Sequence, residues 1–182
     1  MLDETVKAML YNAVRTIPDY PKPGVQFRDI TTLLSNAQAF KAAVSAMVAP
    51  FRTSGITQVA GIEARGFILG GAAAYELGVG FVPMRKRGKL PFDTIGQDYD
   101  LEYGTDRLEM HVDAVQADDQ ILLIDDLVAT GGTALAAIDL LQLGGACVTS
   151  TAFVIDLPDL GGLKRIESKG VQTHALLAYP GE

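Results

Sequence analysis

The stretch that most constrains the fold is residues 121–133, ILLIDDLVATGGT. Four apolar residues, Ile121 to Ile124, run without interruption into two adjacent carboxylates, Asp125 and Asp126. A short apolar run with no polar alternation reads as a strand covered on both faces, and such strands belong to parallel sheets flanked by helices. Small residues follow, Ala129-Thr130-Gly131-Gly132-Thr133, and then a helical pattern over 132–143. The unit is therefore a buried strand that ends in acid, with a cup of backbone behind it. Such a unit can hold a sugar by its hydroxyls and a phosphate by its oxygens at once.

The rest of the chain alternates strand and helix patterns. Residues 3–17 carry Val6, Met9, Leu10, Ala13, Val14 and Ile17 at helical spacing, with Asp3 as the N-cap. Pro18, Pro21, Pro23 and Gly24 then forbid regular structure and predict an extended arm. Helices are predicted over 37–51 and 66–77, strands over 57–62, 80–84, 120–124, 146–155 and 172–178, and a hairpin over 97–110 turning at Tyr103-Gly104-Thr105. No internal repeat, low-complexity tract or linker divides the 182 residues, so one domain is expected. The expected class is α/β, a mostly parallel central sheet with helices on both faces. Ligands in such sheets bind beyond the carboxyl ends of the strands.

Composition excludes several classes. A net charge of −7 opposes a general nucleic-acid surface. Glu76 interrupts the longest apolar stretch, 67–82, so no membrane span is expected. The opening Met-Leu-Asp-Glu-Thr lacks the basic start and apolar core of a signal peptide. A single cysteine, Cys147, cannot form an internal disulfide, which fits a reducing cytoplasm. Set among Ala146, Val148 and Thr149, it reads as a buried structural thiol. His111 and His174 are isolated, form no metal-ligand spacing, and read as surface or satisfied core residues.

Asp125 and Asp126 carry the clearest chemistry. Neighbouring carboxylates at a strand end repel each other and call for a cationic or donor-rich partner, such as Mg²⁺ or the cis-diol of a ribose. A capping or loop Asp pair is the ordinary alternative, but it leaves the next loop unexplained. Gly131 and Gly132 allow close backbone approach, and successive N–H groups there can converge on a phosphate at a helix start. Thr130 and Thr133 add hydroxyl donors. No Gly-x-x-x-x-Gly-Lys loop and no Gly-x-Gly-x-x-Gly fingerprint is present. In an acidic chain, Arg85, Lys86, Arg87 and Lys89 within five residues mark an anion-facing edge or a solvated loop. Arg65, beside Gly66 in Gly61-Ile62-Glu63-Ala64-Arg65-Gly66-Phe67, is a bidentate donor at the start of a helix or the surface partner of Glu63.

The Asp-Asp loop resembles the ribose-phosphate motif of type I phosphoribosyltransferases. Three further segments resemble the adenine-specific branch of that family: 61–67, the Arg85-Lys-Arg-Gly-Lys-Leu-Pro91 and Leu101-Glu-Tyr-Gly104 pair, and the arm Asp19-Tyr-Pro-Lys-Pro-Gly-Val-Gln-Phe-Arg-Asp-Ile30. The resemblance covers most of the chain. It implies a type I phosphoribosyltransferase fold with an N-terminal hood over 1–35 and a flexible lid over 85–110. It implies that Asp125 and Asp126 hold the ribose hydroxyls of phosphoribosyl pyrophosphate, while Ala129, Thr130, Gly131, Gly132 and Thr133 cradle its 5′-phosphate. Pyrophosphate would fall to Glu63, Ala64, Arg65, Arg85 and Lys89, with a cis peptide at Glu63-Ala64. Adenine would meet Val25, Gln26, Arg28 and Leu127. Glu102, which by itself reads as an exposed hairpin residue, would be the base that accepts the purine proton.

The implied reaction joins adenine to phosphoribosyl pyrophosphate, giving AMP and pyrophosphate in purine salvage. The implied cofactor is Mg²⁺ held mainly by substrate and water, and the implied assembly is a cytoplasmic homodimer in which Arg85 reaches the neighbouring site. One departure stands out: Gln26 occupies a position where the family usually carries an apolar residue. It leaves room for a transferase of another base, against which the Leu-Glu-Tyr-Gly and Arg-Lys-Arg-Gly-Lys segments argue. A regulatory sensor of phosphoribosyl pyrophosphate that binds DNA is the alternative of a different class, and it would need a basic surface or extra module. Phe27, by its residue type, is assigned to core packing.

Overall fold

The computed structural model describes residues 2–100 and 105–181. Helix α1 (Glu4–Ala13) starts where its cap predicts: the Asp3 carboxylate accepts from the amides of Thr5 at 2.9 Å and Val6 at 3.3 Å. It stops earlier than the spacing of Val14 and Ile17 predicts. Val14 is extended, and Arg15–Pro18 forms strand β1, antiparallel to β2 (Gln26–Asp29) with Arg15 opposite Asp29. The pairing wins because Arg15 reaches the Asp29 carboxylate at 2.8 Å while its backbone joins the ladder. The Pro-rich arm is thus a hairpin rather than a free extended segment. Pro21, Pro23 and Gly24 (φ 92°) lie in its turn, and the Tyr20–Pro21 bond is cis.

After the hairpin come a short α2 (Thr31–Ser35), which the sequence pattern does not signal, and α3 (Ala37–Val48), whose last predicted turn tightens into a 3₁₀ segment, Ala49–Phe51. There follow β3 (Gln58–Ile62), α4 (Arg65–Leu77), β4 (Gly80–Lys86), β5 (Thr94–Asp100), β6 (Thr105–His111), β7 (Gln120–Val128), α5 (Gly132–Leu143), β8 (Cys147–Asp156), α6 (Gly162–Glu167) and β9 (Gln172–Ala178). Seven strands form one sheet in the order β5-β6-β4-β3-β7-β8-β9. The run β4-β3-β7-β8-β9 is parallel, and the β5–β6 hairpin extends it antiparallel past β4. The mostly parallel α/β class is therefore observed.

Each face has its own core. Leu10, Leu33, Val44, Met47 and Leu69 of α1 to α4 pack on one face with Leu122 and Ile124. Ile138 and Leu141 of α5 and Ile166 of α6 pack on the other with Ile121 and Leu123. Strand β7 sits third from one edge and is buried from Ile121 to Ile124, as its composition demands. It does not end at the acids. The ladder with β8 continues past them, pairing Asp125 with Phe153, Leu127 with Ile155 and Val128 with Asp156. At the far edge, the Tyr11 hydroxyl donates to the Ala178 carbonyl at 2.8 Å and accepts from the Ala178 amide at 3.2 Å.

Cys147 is exposed, not buried, because it opens β8 at the rim of the sheet, where its apolar neighbours reach the core and it does not. His174 is half-buried with Nε2 3.2 Å from the Ala46 carbonyl oxygen, and burial lowers its pKa. No helix among the described residues is long and apolar enough to cross a membrane.

Candidate active site

The site lies where β7 hands over to α5. Gly131 takes φ 82° as the N-cap of α5, a conformation L side chains rarely adopt. The loop borders a cleft of about 440 Å³. From β7 and the loop come Asp125, Asp126, Leu127, Ala129, Thr130, Gly131, Gly132 and Thr133; from the hood hairpin come Val25, Gln26, Phe27 and Arg28. All the residues assigned above to ribose, 5′-phosphate and adenine thus line one cavity. Arg28 lies under the ring of Tyr179, 4.4 Å from its centroid, and donates to the Thr16 hydroxyl. Phe27 is half-buried against the edge of Tyr20 and lines the cleft, so it is a wall of the site and not core. Leu157 and Leu160, just past β8, close the opposite wall.

A second cleft, of about 280 Å³, adjoins the first through the shared residues Arg65, Asp125, Asp126 and Thr133. Glu63 and Ala64 line it, and the peptide between them is cis. Gly66 explains how α4 comes so near: a Cβ there would lie 2.9 Å from an Asp125 carboxylate oxygen and 3.0 Å from the Ile124 carbonyl. Of the basic run, it is Lys86 that lines this cleft, paired with Asp106 at 3.0 Å. Tyr99 stands beside them, its hydroxyl donating to Asp106 at 3.3 Å. Burial, with the Asp106 charge, pushes the Tyr99 phenol up to about 12. Tyr99 and Asp106 carry no motif of their own, and nothing in the basic run marks Lys86 over its neighbours. Only the strand pairing of β4, β5 and β6 brings them together.

Arg85 and Lys89 line neither cleft. The Arg85 guanidinium forks onto one Glu63 oxygen, with Nε at 3.1 Å and Nη2 at 3.0 Å, and its Nη1 donates to the Lys89 carbonyl at 3.0 Å. The other Glu63 oxygen accepts from the Lys86 amide at 2.6 Å. Glu102 and the Tyr103-Gly104 turn lie outside the described residues.

Charge at the junction of the clefts is partly offset within the chain. Arg65 pairs through Nε with Asp126, whose residue is 6% exposed. Burial works against the Arg65 charge, but the bond to Asp126 and the charges of Asp126 and Asp125 outweigh it and raise its pKa. Burial and then the negative Asp126 hold the Asp125 carboxyl well above its ordinary range, with Arg65 pulling the other way. Two carboxylates and one guanidinium thus face a polar junction. A ligand there that brings hydroxyl donors and phosphate oxygens can satisfy both signs. Among the described residues no group of three or more His, Cys, Asp or Glu side chains is placed to hold a metal ion.

Residues 30–175 match the model of the phosphoribosyl transferase domain, and the chain belongs to that family. Its relatives are more specific. The adenine phosphoribosyltransferase of Maricaulis maris (strain MCS10) is 60% identical over 172 residues, covering 94% of this chain and 98% of the relative. The crystal structure of adenine phosphoribosyltransferase from Rhodothermus marinus DSM 4252 superposes with a TM-score of 0.92 at 47% identity, covering 97% of this chain and 100% of that one. That of the Saccharomyces cerevisiae enzyme, complexed with D-2,5-dideoxy-2,5-imino-altritol 1,6-bisphosphate and adenine, superposes with a TM-score of 0.89 at 32% identity, covering 96% and 100%.

Proposed function

We infer that the chain is an adenine phosphoribosyltransferase of purine salvage, joining adenine to phosphoribosyl pyrophosphate to give AMP and pyrophosphate. The observation that carries this reading is the pair of adjoining clefts that meet at Asp125, Asp126 and Arg65. One has the hood above and the small-residue loop below, as a base joined to a phosphorylated sugar requires. The other has Lys86 and Arg65, as a leaving pyrophosphate requires. The named relatives and the adenine bound in the yeast neighbour support the same substrate.

In this reading Asp125 and Asp126 accept from the ribose hydroxyls, and the loop amides and the hydroxyls of Thr130 and Thr133 bind the 5′-phosphate. A purine ring nitrogen attacks C1′ as the C1′–O bond breaks and its electron pair leaves with pyrophosphate. Arg65 and Lys86 meet the charge that develops there. The purine proton goes to Glu102. Mg²⁺, held mainly by substrate and water beside Asp125 and Asp126, would supply charge neutralisation for the leaving group. The β5–β6 hairpin and the turn before it form a lid that keeps water from C1′. In this reading the protein works as a cytoplasmic homodimer in which Arg85 reaches the neighbouring pyrophosphate site.

The test is pyrophosphate release with Mg²⁺ and phosphoribosyl pyrophosphate across a panel of nucleobases. Adenine should stand alone as an efficient acceptor. Release that followed hypoxanthine, xanthine or orotate instead would reassign the base through Gln26, and salt-dependent DNA binding with no base-dependent release would end the enzyme reading. Lys86→Ala should raise KM for phosphoribosyl pyrophosphate about tenfold, the worth of one charge-assisted hydrogen bond, with KM for adenine unchanged. Steady-state kinetics varying one substrate at a time checks this.

A further inference from the structure

The phosphate loop is held from behind. The Ala129 carbonyl accepts from the Gly162 amide at 3.0 Å, and the Thr130 carbonyl accepts from the Arg165 guanidinium Nη1 at 2.8 Å. The Gly131 carbonyl accepts from the Leu135 amide at 2.9 Å in the first turn of α5. Three successive peptide units therefore have their oxygens anchored on protein. In a trans peptide the N–H points opposite to its C=O. The amides of Thr130, Gly131 and Gly132 belong to those same three units. None of them donates to a partner among the described residues.

Two of the three anchors come from α6, a six-residue helix that no motif marks. Its fit is close: a Cβ at Gly162 would lie 2.3 Å from the Ala129 oxygen and 2.9 Å from the Gly131 nitrogen. Gly162 therefore allows the contact, and Arg165 adds charge to it. A guanidinium on the Thr130 oxygen polarises the Thr130–Gly131 peptide and makes the Gly131 N–H a stronger donor. That N–H is central in the row of three.

We propose that Arg165 is a positioning residue for the 5′-phosphate: through the Thr130 carbonyl it fixes and polarises the Gly131 amide, with Gly162 setting the contact distance. The inference rests on the loop binding that phosphate. Arg165 lines neither cleft, so its removal acts on ground state and transition state alike and appears in affinity rather than turnover.

The experiment compares wild type with Arg165→Ala, Arg165→Lys and Gly162→Ala. Kinetics are measured in each substrate, AMP binding by calorimetry, and folding by thermal melting. For Arg165→Ala we expect about a fivefold rise both in KM for phosphoribosyl pyrophosphate and in Kd for AMP, with kcat, KM for adenine and Tm unchanged. Arg165→Lys should recover part of the loss, since a cation still reaches the carbonyl. Gly162→Ala should weaken AMP binding more strongly, because the loop backbone must shift. Arg165 is exposed, so its alanine variant folds and decides the matter even if Gly162→Ala melts early. Unchanged AMP affinity in Arg165→Ala, or an equal rise in KM for adenine, overturns the inference and leaves the function standing. A wild type that binds neither AMP nor phosphoribosyl pyrophosphate overturns the function, and the inference with it.

Discussion

Arg65→Ala should lower kcat/KM for phosphoribosyl pyrophosphate by about a hundredfold or more, the scale seen when one positioned electrostatic donor is lost from an active site. Among the described residues, Arg65 is the only strongly basic one shared by the two clefts. Under the proposed function it would serve both sides of the bond that breaks, the carboxylates facing the ribose on one and the leaving group on the other. Alanine would remove the donor and also strand Asp126, which is buried and pairs with Arg65 in the resting protein. The acidic pair would then face an incoming anion without its guanidinium partner. Lysine should restore little, because it lacks the planar fork that lets one side chain meet Asp126 and a phosphate oxygen together. Single-turnover kinetics separates the loss into binding and chemistry. Wild-type values in both would remove Arg65 from the reaction.

Asp125→Asn should lower activity and raise stability together. The Asp125 carboxyl holds its proton to higher pH in the folded chain than in the unfolded one, chiefly through burial and then through Asp126. The folded state therefore binds more protons than the unfolded state above the ordinary value of 3.8, and stability falls as pH rises through the folded pKa. Above that ordinary value the wild type carries a growing share of the penalty, and the whole of it once the buried carboxyl is ionised. Asparagine keeps the oxygen that accepts from the Asp126 amide at 2.9 Å but carries no charge. Its Tm should exceed that of the wild type at neutral pH, by about 2–4 °C for each kcal/mol relieved. The gap should close as pH falls toward the ordinary carboxylate range. Turnover should fall at least about tenfold as a charged acceptor of the ribose hydroxyls is lost. Melting curves from acid to neutral pH, read beside kinetics, check both halves. A variant less stable than wild type at pH 7 would mean that the carboxylate is better solvated than the fold implies.

The opening motif made much of this legible in the residues alone. An uninterrupted apolar run places β7 inside the sheet, and Gly131 marks the loop because few other residues take its φ of 82°. What was hidden depended on tertiary partners. Val14 and Ile17 keep a helical phase into 14–17, but Asp29, fourteen residues beyond Arg15, draws that segment into a ladder. Asp125 and Asp126 look like the end of a strand because carboxylates seldom sit in one, yet pairing with β8 carries the backbone to Val128. With β4 predicted to stop at Met84, the basic run had no phase. The strand continues through Lys86, and pairing of Lys86 with Leu108 and Arg85 with Glu109 sets which cation meets the cleft. Helix α6 starts at Gly161-Gly162, a pair that reads as a turn, so nothing local announced that it would brace the loop.

The Tyr11 phenol has a consequence far from the chemistry. By taking both the N–H and the C=O of Ala178 it plays the part of a neighbouring strand where β9 would otherwise offer a matched pair to another molecule. An open sheet border is a template for uncontrolled growth into fibrils, and one side chain from the first helix blunts it. At Ala178 the last strand thus presents no free donor and acceptor for a second copy to extend.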